Sequence, residues 1–221
     1  MNRRAVVAGA TGLIGKELVQ LLLNDPAYTS ITSLVRRRTD IVHPKLMEQV
    51  IDFDQLQQVD VQLDGADVFC TLGTTIKKAG SQEAFRKVDY QYPLSLGQLA
   101  SRQGAKQLLL VSAIGANPSS RAFYTRVKGE VEEALRSLEL PALHIFRPSL
   151  LLGKREEFRF GERIAASLSG LLSPLFSGAL RKYAPVQASS VAKAMIFAAK
   201  SNQAGNHIHE NEQLVKLEQE K

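Results

Sequence analysis

Seven residues near the start of the chain constrain its fold more than any others: Gly9-Ala10-Thr11-Gly12-Leu13-Ile14-Gly15. They follow a short apolar run, Ala5 to Ala8, and lead into an apolar stretch of helical period, Leu13 to Leu23. Glycine lacks a Cβ and reaches positive φ at little steric cost, so this loop can turn sharply and present backbone N–H groups at the positive end of the next helix. Such a place suits a pyrophosphate. The spacing is Gly-x-x-Gly-x-x-Gly rather than Gly-x-Gly-x-x-Gly; the strand before and the helix after supply the context that three glycines alone lack. The loop is therefore read as a dinucleotide cradle built from Gly9, Thr11, Gly12, Leu13, Ile14 and Gly15.

The same strand–helix alternation continues along the chain. Further strands are expected at Ile31–Val35, Gln49–Ile51, Val68–Leu72, Leu108–Ser112, His144–Phe146 and His207–His209. Helices are expected at Gly12–Asn24, Gln82–Gln103 with a bend near Pro93, Phe123–Leu138 and Val191–Ser201. Strands separated by helices imply right-handed parallel crossovers with helices on both faces. The expected fold class is α/β, a doubly wound parallel sheet. With 221 residues, 44% of them hydrophobic, and no repeat, the simplest division is one domain over 1–221. Residues 149–185, punctuated by Gly and Pro, break the rhythm and are read as a small substrate-side lobe. The polar tail after Asn211 is expected to be a frayed helix.

Charge and composition narrow the partners. A net charge of +6 favours anionic ligands. The basic residues are dispersed except at Arg36-Arg37-Arg38, and no aromatic-interleaved basic platform is present, so nucleic acid is not expected as a partner. No run reaches the ~18 to 20 apolar residues of a membrane span, and Ala5–Ala8 is too short for a signal-peptide core. A single cysteine, Cys70, excludes an internal disulfide and reads as a buried small hydrophobe. Together these features predict a soluble, cytoplasmic protein. His207 and His209 share one face of a short strand but lack a metal-ligand cluster of recognised spacing, so a solvent-facing strand and no metal are expected.

The end of the second strand informs cofactor choice. Arg36 lies 21 positions after Gly15, where an NAD-selective protein places a carboxylate on the ribose 2′-OH. From Thr29 to Arg37 there is none, and an arginine instead suits a 2′-phosphate. NADP(H) is therefore expected in preference to NAD(H), read by Arg36 and Arg37. Asp52-Phe53 follows the third strand, where the backbone can meet the adenine edge. Leu72, Gly73, Thr74 and Thr75 follow the fourth and can line the nicotinamide side.

Tyr124-Thr125-Arg126-Val127-Lys128 places a phenol and an ammonium one helical turn apart, on one face. A neighbouring cation favours phenolate over phenol. Ser112 stands at the carboxyl end of an apolar strand, 12 positions before Tyr124, where open α/β sheets hold ligands.

In this order, these residues resemble the short-chain dehydrogenase/reductase superfamily, in its atypical branch. Within it the chain is most similar to the Tat-interacting-protein oxidoreductase family, through Cys70-Thr71-Leu72-Gly73-Thr74-Thr75, Lys78-Ala79-Gly80, Val88-Asp89, Phe123-Tyr124, Val127-Lys128-Gly129-Glu130-Val131-Glu132 and Phe146-Arg147-Pro148. The resemblance implies a Rossmann-like fold, bound NADP(H), and a catalytic Ser112, Tyr124 and Lys128. In it, Tyr124 exchanges a proton with a substrate carbonyl, Lys128 holds the nicotinamide ribose and Ser112 orients the carbonyl. Pro148 is expected to help place the nicotinamide edge. One departure stands out: many superfamily members carry an asparagine on the helix after the fourth strand, near where this chain has Asp89.

The expected activity is NADP(H)-dependent oxidoreduction of a carbonyl or hydroxyl compound, or epimerisation by transient hydride transfer; the alternative is a redox-sensing regulator without turnover. Arg155, Arg159 and Arg163, four apart, read either as a solvated helix face or as a face attracting an anionic small-molecule substrate. A monomer or homodimer is expected.

Overall fold

The apolar runs pair side by side in register. A computed structural model describes residues 2–153 and 183–219. Its strands are β1 (Arg3–Ala8), β2 (Tyr28–Val35), β3 (Leu46–Val50), β4 (Asp67–Cys70), β5 (Gln107–Val111), β6 (Ala142–Arg147), β7 (Leu151–Leu152), β8 (Val186–Gln187) and β9 (Gly205–Glu210). The helices are α1 (Leu13–Asn24), α2 (Ile76–Ala79), α3 (Gln82–Arg86), α4 (Tyr92–Arg102), α5 (Phe123–Arg136), α6 (Ala188–Ser201) and α7 (Asn211–Gln219). Seven strands form a parallel sheet in the order β3-β2-β1-β4-β5-β6-β9. This is a doubly wound, Rossmann-like fold, as expected.

Alternation along each strand divides the core. Val7, Leu109 and Phe146 point to the face covered by α1 and α6; Val6, Leu108 and Ile145 point to the face covered by α4 and α5. Central strands are buried on both faces, which is why β1, β4 and β5 read as continuous apolar runs. Helix α1 buries Ile14, Leu18, Val19 and Leu22 at helical spacing and stops at Asp25, ahead of Pro26. The strand order reverses between β1 and β4. Their carboxyl ends diverge there, opening the crevice in which folds of this kind hold ligands.

Several boundaries differ from the sequence reading. Strand β2 starts at Tyr28, three residues early, because Thr29 and Ser30 interrupt the apolar run. The long helix 82–103 is divided by a π-helical turn at Lys87–Gln91, directly before Pro93. Proline lacks an N–H and its ring presses on the carbonyl four residues back, so a wider turn accommodates it. Strand β9 is largely exposed, as expected, but its His207 and His209 are half-buried. They stack near the fully buried His144 of β6, with ring centroids 4.9 and 5.3 Å from it. His209 also stacks on Phe146 at 4.5 Å. Most of the expected lobe, with Arg155, Arg159 and Arg163, lies outside the described residues; β7, near its start, pairs with β8, just past its end.

Candidate functional site

The glycine loop sits at the carboxyl end of β1 and needs its glycines for measurable reasons. Gly9 has φ +93°, and a Cβ there would lie 2.6 Å from the Thr71 carbonyl carbon and 2.8 Å from the Leu72 amide nitrogen. A Cβ on Gly15 would collide with the Gly9 carbonyl oxygen. Gly12 precedes the helix, its N–H donating to Gly9 O at 2.9 Å. The loop is thus folded tightly against the segment after β4, while Thr11 and Gly12 stay exposed. Ile14 is buried and holds the helix to the core; Leu13 is partly buried.

Beside this loop, at the carboxyl end of β2, lies an open cleft of about 490 Å³ lined by Thr11, Arg36, Arg37, Arg38 and Thr39. Three guanidiniums and two hydroxyls within one cleft suit a phosphate. From the sequence Arg38 stands out only as part of the basic run, and Thr39 does not stand out at all. Asp52 lies exposed after β3, its carboxylate accepting the Asp54 N–H at 2.9 Å. Phe53 is buried, with its ring 5.5 Å from that of Tyr92, so only its backbone can meet a ligand.

The segment after β4 packs against the glycine loop. Thr71 continues the β1 pairing, its N–H donating to Ala8 O at 2.8 Å, and Leu72, Gly73, Thr74 and Thr75 follow it at the carboxyl end of β4. Thr75 caps α2, accepting the Lys78 N–H at 3.1 Å. Thr74 N–H donates to Asp89 Oδ2 at 2.9 Å. Asp89 is presented by the π turn. Its Oδ1 lies 2.7 Å from Lys128 Nζ, an ion pair whose alignment is not that of a hydrogen bond, and both residues are buried. Burial opposes the Lys128 charge, but the carboxylate outweighs it and holds the ammonium above the usual lysine range.

Helix α5 carries Tyr124, Lys128 and Glu132 at successive turns of one face. It lies close to the preceding loop, because a Cβ on Gly129 would strike the Asn117–Pro118 backbone. The Tyr124 ring packs 5.6 Å from Phe85 and is 38% exposed, so a solute can reach the phenol. Cys70, beneath Lys128, is buried, and burial pushes its thiol up to about 12.

Ser112 is held by a different partner. It occupies the expected strand end, but it is buried and its hydroxyl donates to Glu132 Oε1 at 2.5 Å. Glu132, fully buried, also accepts from Arg136 at 3.0 Å and from Arg147 at 2.5 and 3.0 Å. The structure therefore unites Tyr124, Lys128 and Asp89 and commits the serine hydroxyl elsewhere. Its sequence position located the strand end but not the rotamer, which the buried carboxylate decides. Glu132 was detectable as the next i+4 step after Lys128. Pro148 is buried behind this network, its carbonyl accepting the Ile114 N–H at 2.9 Å. Among the described residues, no group of three His, Cys, Asp or Glu could hold a metal, and no helix is long and apolar enough to cross a membrane.

Comparison with known proteins supplies the family. A model of the NAD(P)H-binding family matches residues 9–163. The chain belongs to that family. This NAD(P)H-binding protein is 37% identical over 175 residues to Protein HTATIP2 of Rattus norvegicus, covering 77% of this chain and 72% of the relative. It is 36% identical over 201 residues to Protein FMP52, mitochondrial, of Candida albicans, covering 88% and 87%. Among solved structures it resembles human epimerase family protein SDR39U1 with NADPH at TM-score 0.60 and 19% identity, covering 97% and 80%. It also resembles Bordetella bronchiseptica WbmH with NAD+ at TM-score 0.68 and 17% identity, covering 95% and 76%. The resemblance read from the motifs is borne out. The cytoplasmic expectation is not: the relatives from Candida albicans, Scheffersomyces stipitis, Meyerozyma guilliermondii and Debaryomyces hansenii are named mitochondrial. One cysteine excludes an internal disulfide, which does not distinguish one reducing compartment from another.

Proposed function

We propose that the protein is an NADP(H)-dependent oxidoreductase acting on a carbonyl or hydroxyl compound, with Tyr124 as proton donor and acceptor. The observation that carries this reading is the placement of an accessible phenol one turn from a buried, paired ammonium, beside the crevice between β1 and β4. The residues fit a dinucleotide. Gly9 and Gly15 leave room that a Cβ would fill, and the arginine cleft offers an anion site where a 2′-phosphate would lie. Gly9, Thr11, Gly12 and Leu13 would hold the pyrophosphate, Arg36 and Arg37 with Arg38 the phosphate, and Leu72 to Thr75 with Lys128 the nicotinamide ribose.

The bound nicotinamide would supply or accept the hydride. Tyr124 Oη gives its proton to a carbonyl oxygen in reduction and takes it back in oxidation. Lys128 Nζ, held by Asp89, would bind the sugar hydroxyls of the cofactor, and its charge favours the phenolate while the proton is away. The Phe85 ring packs beside that of Tyr124. The substrate is a small molecule, bound by one protomer or by a homodimer.

One observation favours a second reading, a redox-sensing regulator that binds NADP(H) without turnover. The hydroxyl expected to hold the carbonyl, Ser112, is bonded to Glu132. Titration with NADPH and NADH, followed by reduced-nicotinamide fluorescence, tests the common premise. A panel of carbonyl compounds with NADPH then separates the readings. Turnover that disappears in Tyr124→Phe with cofactor affinity kept supports the enzyme, and turnover retained in that variant removes Tyr124 from the chemistry.

A further inference from the structure

We infer that Asp89 is a positioning residue of this site, acting through Lys128: it keeps the buried ammonium charged and anchors it to the loop that faces the nicotinamide. The inference rests on the oxidoreductase reading and goes beyond it by assigning a residue outside the tyrosine–lysine pair.

The geometry is specific. Asp89 uses both carboxylate oxygens, one 2.7 Å from Lys128 Nζ and the other accepting the Thr74 N–H at 2.9 Å. One side chain therefore ties α5 to the segment after β4. Gly73 lies over the pair, since a Cβ there would be 3.5 Å from Asp89 Oδ1 and 3.9 Å from Lys128 Nζ. Asp89 is 1% exposed and Lys128 4% exposed. An ammonium so enclosed sheds its proton unless a partner compensates for the lost water. The groups facing it are Asp89 from the π turn, Tyr124 on its own helix and Cys70 from β4. Asp89 supplies the compensation. Glu132, one turn further along α5, is engaged by Arg147, Arg136 and Ser112 and does not serve.

A carboxylate here does what a neutral amide cannot. An amide oxygen can accept the Thr74 N–H, but it cannot balance a buried positive charge. The π turn is part of the device, because Asp89 lies within the widened segment that precedes Pro93.

The test is Asp89→Asn, which preserves shape and the acceptor for Thr74. Removing a negative charge favours proton loss from the groups beside it, so the alkaline limb of kcat/KM should move down by at least one pH unit. NADPH affinity at pH 8 should fall about tenfold, and Asp89→Glu should restore part of both. A purely structural role would lower the melting temperature and leave the limb in place, and that outcome overturns the inference. Asp89→Asn/Lys128→Met, which carries neither buried charge, covers the case in which the single variant misfolds, with Lys128→Met, whose Asp89 carboxyl is left without its cation, as its reference. The two should bind NADPH equally; weaker binding by the double variant would show that Asp89 acts on the cofactor directly and would overturn the inference. A wild-type protein that binds no nicotinamide cofactor overturns both the function and this inference, whereas wild-type binding with an unmoved limb in Asp89→Asn overturns the inference alone.

Discussion

Acid should loosen this protein through His144 before most of its carboxylates titrate. His144 is fully buried on β6, beside the β9 edge strand, with Nδ1 3.0 Å from His209 Nε2. Burial first, and then His209 and His207, lower its pKa from 6.5 to about 4, against smaller opposing effects of a hydrogen bond with the Gln203 backbone and of Asp67. His209 is lowered as well, by burial and His207. A lowered histidine pKa means that the unfolded chain binds the proton better, so stability is fully present above pH 6.5 and declines as pH falls toward 4. For His144 alone the linkage gives a loss of about 1.3 kcal/mol between pH 7.5 and 5.5, growing to about 3 kcal/mol at pH 4. His209 adds to it with the same sign. The perturbation is His144→Phe, which keeps an aromatic ring between β6 and β9 and removes the titration. Urea unfolding followed by far-UV circular dichroism at pH 7.5, 6.5 and 5.5 would compare the two proteins. The variant should start less stable, having lost the bond to His209, yet lose about 1 kcal/mol less than wild type over that interval. Parallel pH profiles for the two proteins would refute the reasoning.

Three further outcomes are expected. Gly9→Ala should cost about 1–2 kcal/mol from its positive φ alone, more from the collision with the Thr71 carbonyl, and should abolish NADPH binding; an unchanged urea midpoint with normal binding would contradict the tight loop. Arg36→Ala combined with Arg37→Ala should weaken NADPH by about tenfold or more, roughly 1.4 kcal/mol, while NADH changes little, as read by fluorescence titration. Tyr28→Phe removes a buried hydrogen bond to Asp67, 2.9 Å long at the end of the sheet opposite the crevice, and should cost about 1–2 kcal/mol in chemical denaturation with no effect on cofactor affinity.

Local features of the chain were enough to define its main elements. The alternation of apolar runs with helix-periodic segments prescribed parallel crossovers, since a strand buried on both faces reads as one apolar block and a crossover helix carries a stripe. The glycine loop was legible because only glycine tolerates both a positive φ at Gly9 and the contact of Gly15 with the Gly9 carbonyl. Tyr124 and Lys128 were legible because a helix converts a spacing of four into a shared face. What tertiary structure alone decided is how separate elements meet. Asp89 reaches Lys128 across 39 residues through a π turn that no periodicity announces. His144, distant in sequence from His207 and His209, joins them only because β6 and β9 pair in that register. Ser112 turns to Glu132, because in a buried setting a hydroxyl follows the strongest available acceptor, and which acceptor is nearest depends on how α5 lies over the sheet. Local backbone preference acts over a few residues and is written along the chain; the pairing of buried charges is set by packing between elements, where sequence separation carries no distance.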